Sequence, residues 1–138
     1  MPPQGSEAQP QQHRLQFRWV PRLYTIVQLA PDAAVPDWAT KGEFTSVTRT
    51  ATELSIVCPS ENMPDEKASP HRWMCLKLKG PFPFSLTGVL LSFIRPLSSK
   101  GIPIFAISTY DTDYVLIPEE FSGTALDCLM EAGHQLLP

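Results

Sequence analysis

The order in which strand-like and helix-like segments follow one another constrains the fold of this chain most strongly. In the first half, residues 22–30, 43–50 and 53–58 are rich in β-branched and aromatic residues, which favour strands. Only a turn or two of helix fits into residues 35–42. Residues 59–71, a polar segment with three prolines, then indicate a connection on the surface.

A second series of elements follows this connection. Residues 72–80 alternate, with Met74, Leu76 and Leu78 on one face, as expected for a half-buried strand. The residues after them repeat at helical spacing, with Ser85 as the expected N-cap and Gly101 closing the helix. The remaining predicted elements are strands at 102–107 and 113–117 and a last helix from Ser122.

The order β, short α, β, β and then β, α, β, β, α predicts an α+β fold. It contains two copies of a split β-α-β unit, with antiparallel sheets and helices packed on one face. Three segments are expected: a disordered lead at 1–20, an N-terminal half at 21–70 and a C-terminal domain at 71–138. The second copy lacks a final strand, so a strand from the first half or from a second subunit is expected to complete its sheet.

Composition excludes several classes of partner. The net charge of −3 and a pI near 5.5 leave no basic surface for nucleic acid or an anionic membrane. The most apolar stretch, residues 89–94, is far shorter than the ~20 residues of a membrane span. The N-terminus has no apolar core of a secretory signal, so a cytoplasmic location is expected.

The cysteines do not form a recognisable metal or redox motif. Cys58, Cys75 and Cys128 include no C-x-x-C pair and no nearby histidine cluster. They are expected to be buried free thiols in a reducing compartment. The sequence therefore predicts neither a metal nor a cofactor.

Gly88 is the first candidate for a functional position. A glycine inside a helix costs roughly 1 kcal/mol relative to alanine, so it requires a packing or ligand reason. With Ser85 and Thr87 ahead of it, the helix start presents N–H groups and a positive dipole to which a carboxylate could bind. On the sequence alone, close packing of the helix on a strand explains this glycine equally well.

The turn at 108–113 offers complementary groups. It carries hydroxyls, the Tyr110 ring and the carboxylates of Asp111 and Asp113, which could hold an ammonium or guanidinium group. These are also ordinary turn residues that bond their own backbone, although six residues exceed a two-residue hairpin. A catalytic arrangement of Ser108, Asp111 and His134, or of the two aspartates, follows no known spacing, and His134 is expected to cap the last helix.

Residues 80–120 contain Thr-Gly-Val-Leu at the helix start, a proline in the same helix, Ile-Phe-x-Ile-Ser-Thr, and Asp-Thr-Asp-Tyr-Val-Leu. In these motifs the segment closely resembles the ACT domains of the CASTOR-like group, small proteins related to cytosolic arginine sensors and to aspartate kinase regulatory domains. The N-terminal half, with its Glu-Leu-Ser-Ile-Val-Cys-Pro-Ser-Glu segment, is similar to the partner half of short group members. The resemblance implies ferredoxin-like β-α-β-β-α-β units, used in pairs or as dimers.

The same resemblance implies non-catalytic binding of a small molecule, typically an amino acid, between units. Carried over by motif, the binding positions are Ser85, Thr87, Gly88, Val89, Leu90, Thr109, Tyr110 and Asp113. Arginine sensors carry an acidic residue two positions before the glycine, whereas this chain has Leu86, so arginine is not the expected ligand. A homodimer acting on a separate protein is expected; a small enzyme or biosynthetic accessory protein, or an interaction module without a ligand, are the alternatives.

Overall fold

The computed structural model describes residues 12–65 and 70–138, so residues 1–11 of the predicted N-terminal lead lie outside the described residues. The strands are β1 (Gln16–Leu29), β2 (Ser46–Arg49), β3 (Leu54–Pro59), β4 (Trp73–Leu78), β5 (Phe105–Ser108), β6 (Asp113–Pro118) and β7 (Gln135–Leu136). The helices are α1 (Val89–Ser99) and α2 (Ser122–Glu131), and short 3₁₀ turns lie at Asp37–Thr40, Ser60–Asn62 and Glu119–Phe121.

The described strands form one seven-stranded sheet in the order β2-β3-β1-β4-β6-β5, with β7 beside β1. All pairs are antiparallel except β1 with β7. The predicted α+β class is confirmed. Two separate ferredoxin-like units stay a prediction, because strands of both halves share this sheet.

Strand β1 completes the sheet of the second half. Phe17 pairs with Leu78 and Val20 pairs with Cys75 along β4, which confirms the first of the two predicted ways of completing it. The predicted absence of a final strand is wrong, because β7 follows α2. It pairs with the start of β1 rather than with β4, since β1 already occupies that side of β4.

The start of β1 corrects the prediction of a disordered lead at 1–20. Residues 16–20 belong to this strand, six residues before the predicted start at 22. They are ordered into the sheet because the side chains of Phe17 and Val20 are fully buried, in two different apolar clusters. A bulge follows at Pro21 and Arg22, where Arg22 has a φ of 89° and the pairing register shifts. This irregularity hides the strand pattern in the sequence.

Helices α1 and α2 cover one face of the sheet, as predicted. Met74, Leu76 and Leu78 of β4 are buried against them, and the Phe17 ring packs edge-on against Phe93 with centroids 5.2 Å apart. The other face is apolar as well, because the sheet curls around a second cluster. Its centre is formed by Val20, Tyr24, Phe44, Val57, Cys75 and Leu116.

Helix α1 begins later than predicted. Its N-cap is Gly88 and not Ser85, because Gly88 has a left-handed backbone with a φ of 79° that interrupts the helix. The residues before it form a separate turn, in which the Leu86 N–H donates to the Pro83 carbonyl over 3.0 Å. The end of the helix at Lys100 and Gly101, with Pro96 inside it, is as predicted.

His134 joins the N-terminal strand to α1. It is 4% exposed, its Nδ1 accepts a hydrogen bond from the Leu15 N–H, and its Nε2 donates to the Ser92 carbonyl, both over 3.0 Å. Because Nδ1 is the acceptor, the imidazole is neutral, with its proton on Nε2. Burial lowers the pKa of His134 below its ordinary value. The predicted role of a charged cap on the last helix is therefore wrong.

The neutral His134 predicts a stability that depends on pH. The folded state lowers its pKa, so its contribution is complete above the unfolded value of 6.5 and is lost as the pH falls below it. We expect the free energy of unfolding, measured in urea, to decrease between about pH 7.5 and pH 5.5. His134→Gln, which removes the titrating imidazole, should flatten this dependence. An unchanged slope in His134→Gln would contradict the assignment.

Candidate functional site

A cleft of about 530 Å³ separates the β4–α1 loop from the β5–β6 turn. All predicted binding residues except Ser85 line it: Thr87, Gly88, Val89, Leu90, Thr109, Tyr110 and Asp113. Ser85 is exposed on the loop and is not part of the lining. The structure therefore brings together the helix start and the turn, and the roles of these residues in binding stay predictions.

Several further residues that were not predicted as binding positions also line the cleft. Those on the loop and the helix are apolar: Phe82, Pro83, Phe84, Leu86 and Leu91. Phe82 lies between two prolines and Phe84 follows the second of them in the segment Gly-Pro-Phe-Pro-Phe, where large apolar side chains in a connection were the available signal. Ser108, Asp111 and Thr112, which the sequence had placed in the turn, complete the lining.

Hydrogen bonds fix the base of the cleft. The Thr112 side chain is 5% exposed and its hydroxyl donates to the Leu78 carbonyl over 2.8 Å. The Phe82 N–H donates to the Asp111 carbonyl over 2.9 Å. Gly80 allows this approach, because a Cβ there would lie 2.6 Å from the Asp111 carbonyl oxygen. The loop and the turn are thus held together below the cleft.

The turn also bonds itself internally. The N–H and the hydroxyl of Thr109 both donate to the Thr112 carbonyl, over 2.8 and 3.0 Å. The Ser108 hydroxyl donates to the Asp113 carboxylate. The serine and threonine hydroxyls of the turn are therefore engaged, as the turn interpretation predicted. The carboxylate of Asp113 keeps further acceptor sites, because it has about four lone-pair positions.

On the opposite side of the cleft, α1 presents its first backbone N–H groups. The first helical hydrogen bond runs from the Ser92 N–H to the Gly88 carbonyl over 2.9 Å. The N–H groups of Val89, Leu90 and Leu91 precede it and have no acceptor within the helix. They carry the positive end of the helix dipole. A glycine is therefore explained at position 88 by the left-handed backbone of the N-cap. Neither of the two sequence interpretations, a bound carboxylate or close packing on a strand, had named this reason.

His13 holds the start of α1 from outside the cleft. Its Nε2 donates to the Thr87 carbonyl over 2.9 Å, and its backbone N–H donates to the Ser92 hydroxyl over 3.0 Å. The residues ahead of β1 therefore fix the helix start on which the candidate site depends. Residue spacing gave no signal for this contact, because it joins positions far apart in the chain.

Two exposed aromatic rings form the rim. Phe84 is 77% exposed and Tyr110 is 81% exposed, and their rings meet edge to face with centroids 5.0 Å apart. They come from opposite sides of the cleft. Because large aromatic side chains are usually buried, this pair marks the mouth of the cleft as a contact surface.

The structure does not assemble the catalytic trio considered from the sequence. Both ring nitrogens of His134 are bonded to backbone groups, so this residue is not available to Ser108. The three cysteines are free and buried as predicted, and burial raises the pKa of Cys58 to about 11 and of Cys75 to about 12. Such thiols are weak nucleophiles at neutral pH.

Residues 12–65 and 70–138 contain neither a candidate metal site nor a candidate membrane-spanning helix. No group of three or more histidine, cysteine or acidic side chains there could hold a metal ion. No helix in these ranges has the length and apolar composition needed to span a membrane.

Sequence models of known families match both halves of the chain. A model described as an ACT domain matches residues 68–131, and a second model, described as an N-terminal domain, matches residues 22–66. The ACT match contains the whole cleft. The two matches meet near the predicted boundary at 70, which itself stays a prediction.

Individual proteins are also similar to this chain in sequence or in structure. The chain is 30% identical over 91 residues to the human protein CASTOR3P, and the alignment spans 56% of this chain and 56% of that protein. The Agobacterium tumefaciens protein Atu0741 is 42% identical, with a TM-score of 0.83 over 91% of this chain and 93% of the other. The Vibrio cholerae protein VC0802, of unknown function, shares the fold, with a TM-score of 0.70 at 18% identity over 87% of this chain and 91% of the other.

The close approach at Gly80 predicts a sharp difference between two glycine substitutions. Gly80→Ala should lower the free energy of unfolding by about 1–3 kcal/mol, because its Cβ would meet backbone atoms of the turn. Gly123→Ala in α2 has no atom within 4 Å of the new Cβ and should be neutral or stabilise by up to about 1 kcal/mol. Urea unfolding followed by circular dichroism measures both. Equal stabilities would show that the loop and turn are not tightly joined.

Proposed function

The chain belongs to the ACT-domain proteins of CASTOR-like type, and we propose that its cleft binds a free amino acid without catalysing a reaction. An ACT domain is a small-molecule-binding regulatory domain, which is the coarse function that membership supports. The finer proposal, an amino acid as the ligand, depends on the groups that line the cleft.

The observation that carries the proposal is the presence of two complementary groups on one cleft. The N–H groups at the start of α1 suit the carboxylate of an amino acid. The Asp113 carboxylate, half-buried and already oriented by Ser108, suits its ammonium group. A free amino acid presents both of these charges at a short separation.

We propose that the protein acts through other polypeptides. The exposed Phe84 and Tyr110 rings at the mouth support a homodimer that covers the cleft. Dimerisation would place the ligand between copies, as the resemblance to the family implies.

Two further points belong to this proposal. Residues 21–70 act as an ACT-like half whose helix is reduced to the 3₁₀ turn Asp37–Thr40, which supports a tandem arrangement with residues 71–138. The protein works in the cytoplasm, which the buried free thiols of Cys58, Cys75 and Cys128 support because reduced cysteines persist there.

Isothermal titration calorimetry of the full chain against the standard amino acids tests the proposed function. At least one should bind saturably at a single site. Asp113→Asn removes the charge that holds the ammonium group and should weaken this binding about ten- to a hundredfold. Asp127→Asn, on the exposed side of α2, is the matched control and should not change it. Absence of binding by any amino acid to the folded protein would refute the proposal.

A further inference from the structure

We infer that the ligand is an amino acid with an uncharged, apolar side chain, held by the apolar wall of Phe82, Phe84, Leu86 and Leu90. This inference rests on the proposed function and specifies the ligand class of the same cleft. It depends on three observations: the wall itself, the signs of the charges around the cleft, and the engagement of the polar donors in the turn.

The wall is formed from both the loop and the helix. Phe82, Leu86 and Leu90 are half-buried and pack against the core beneath the helices, so their positions are fixed by the fold. Each also lines the cleft. Phe84 extends this surface to the mouth, where most of its ring is exposed to water. An apolar side chain that enters the cleft would remove this surface from water.

The charges around the cleft exclude acidic side chains. Among its described lining residues none is lysine, arginine or histidine, and the ionisable carboxylates are those of Asp111 and Asp113. His13 bonds the Thr87 carbonyl but does not line the cleft. A second carboxylate on the ligand would therefore face charges of its own sign, without a cationic side chain to pair with.

The polar groups disfavour basic and amide side chains. The Asp113 carboxylate accepts hydrogen bonds from the Ser108 hydroxyl and, in the proposed complex, from the ligand ammonium group. Asp111 is exposed at the rim. The hydroxyls of Thr109 and Thr112 donate to backbone carbonyls, so neither has a proton left for the carbonyl oxygen of an amide side chain. A guanidinium group has five N–H donors, most of which would lie against apolar side chains without an acceptor. An apolar side chain needs no such partners.

The experiment is calorimetric titration of the full chain with two sets of free amino acids. The first set is leucine, isoleucine, methionine and phenylalanine, and the second is arginine, lysine, aspartate and glutamate. The tightest ligand should belong to the first set and bind at least about tenfold more tightly than any member of the second, since partners left unpaired on a ligand cost roughly this factor or more. Asparagine and glutamine are included as uncharged polar side chains.

A variant at the mouth tests the wall directly. Phe84→Ala should weaken binding of the tightest apolar ligand about tenfold, because it removes one ring of the wall. The side chain is 77% exposed, so the fold should survive, and circular dichroism checks this. Val35→Ala is the matched control, since Val35 is 42% exposed and does not line the cleft. Unchanged affinity in Phe84→Ala would overturn the role of the wall.

The outcomes separate this inference from the proposed function. Tightest binding of a charged amino acid, or of asparagine or glutamine, would overturn the apolar ligand class and leave amino-acid binding standing. Failure of every amino acid to bind to the folded protein would overturn the proposed function, and the ligand class with it.

Discussion

The backbone pairing of β1 with both halves of the chain is the interaction on which the rest of the structure depends. Its first residues pair with β4 and its last residues pair with β3. One sheet therefore contains strands that the sequence distributes over two units. Since the cleft loop leaves directly from the end of β4, the register of β1 against β4 also determines where the site lies.

The cleft combines a fixed base with an exposed mouth. At its base, hydrogen bonds join the turn to the end of β4 through Thr112 and to the loop through Phe82, and Gly80 leaves room for this contact. At its mouth, the Phe84 and Tyr110 rings are exposed to water. A base that is ordered before a ligand arrives reduces the conformational entropy lost on binding. The surface of the cleft can therefore still change at its mouth when a partner or a ligand binds.

Local pattern predicted the regular parts of the structure and missed the parts set by distant contacts. Strand alternation in β4 and helical spacing in α1 are properties of neighbouring residues, and both were predicted. The early start of β1 was hidden by the bulge at Arg22, and β7 has only two residues. His134 was misinterpreted because its partners, Leu15 and Ser92, are distant in sequence. The helix start at Gly88 and the turn at 108–113 were candidates from their residues alone, and the family resemblance assigned the individual binding positions. The apolar wall required the structure.

The strand order limits how much open sheet edge this protein offers for aggregation. It leaves β2, β5 and the two-residue β7 with one paired neighbour each in the described sheet, and β2 and β5 have only four residues each. An open edge offers unpaired backbone groups that can recruit strands from other molecules and start aggregation. The longest strand, β1, lies in the interior of the sheet, where neighbouring strands pair with its backbone and keep it from pairing with other molecules. The outermost positions are occupied by the shortest strands.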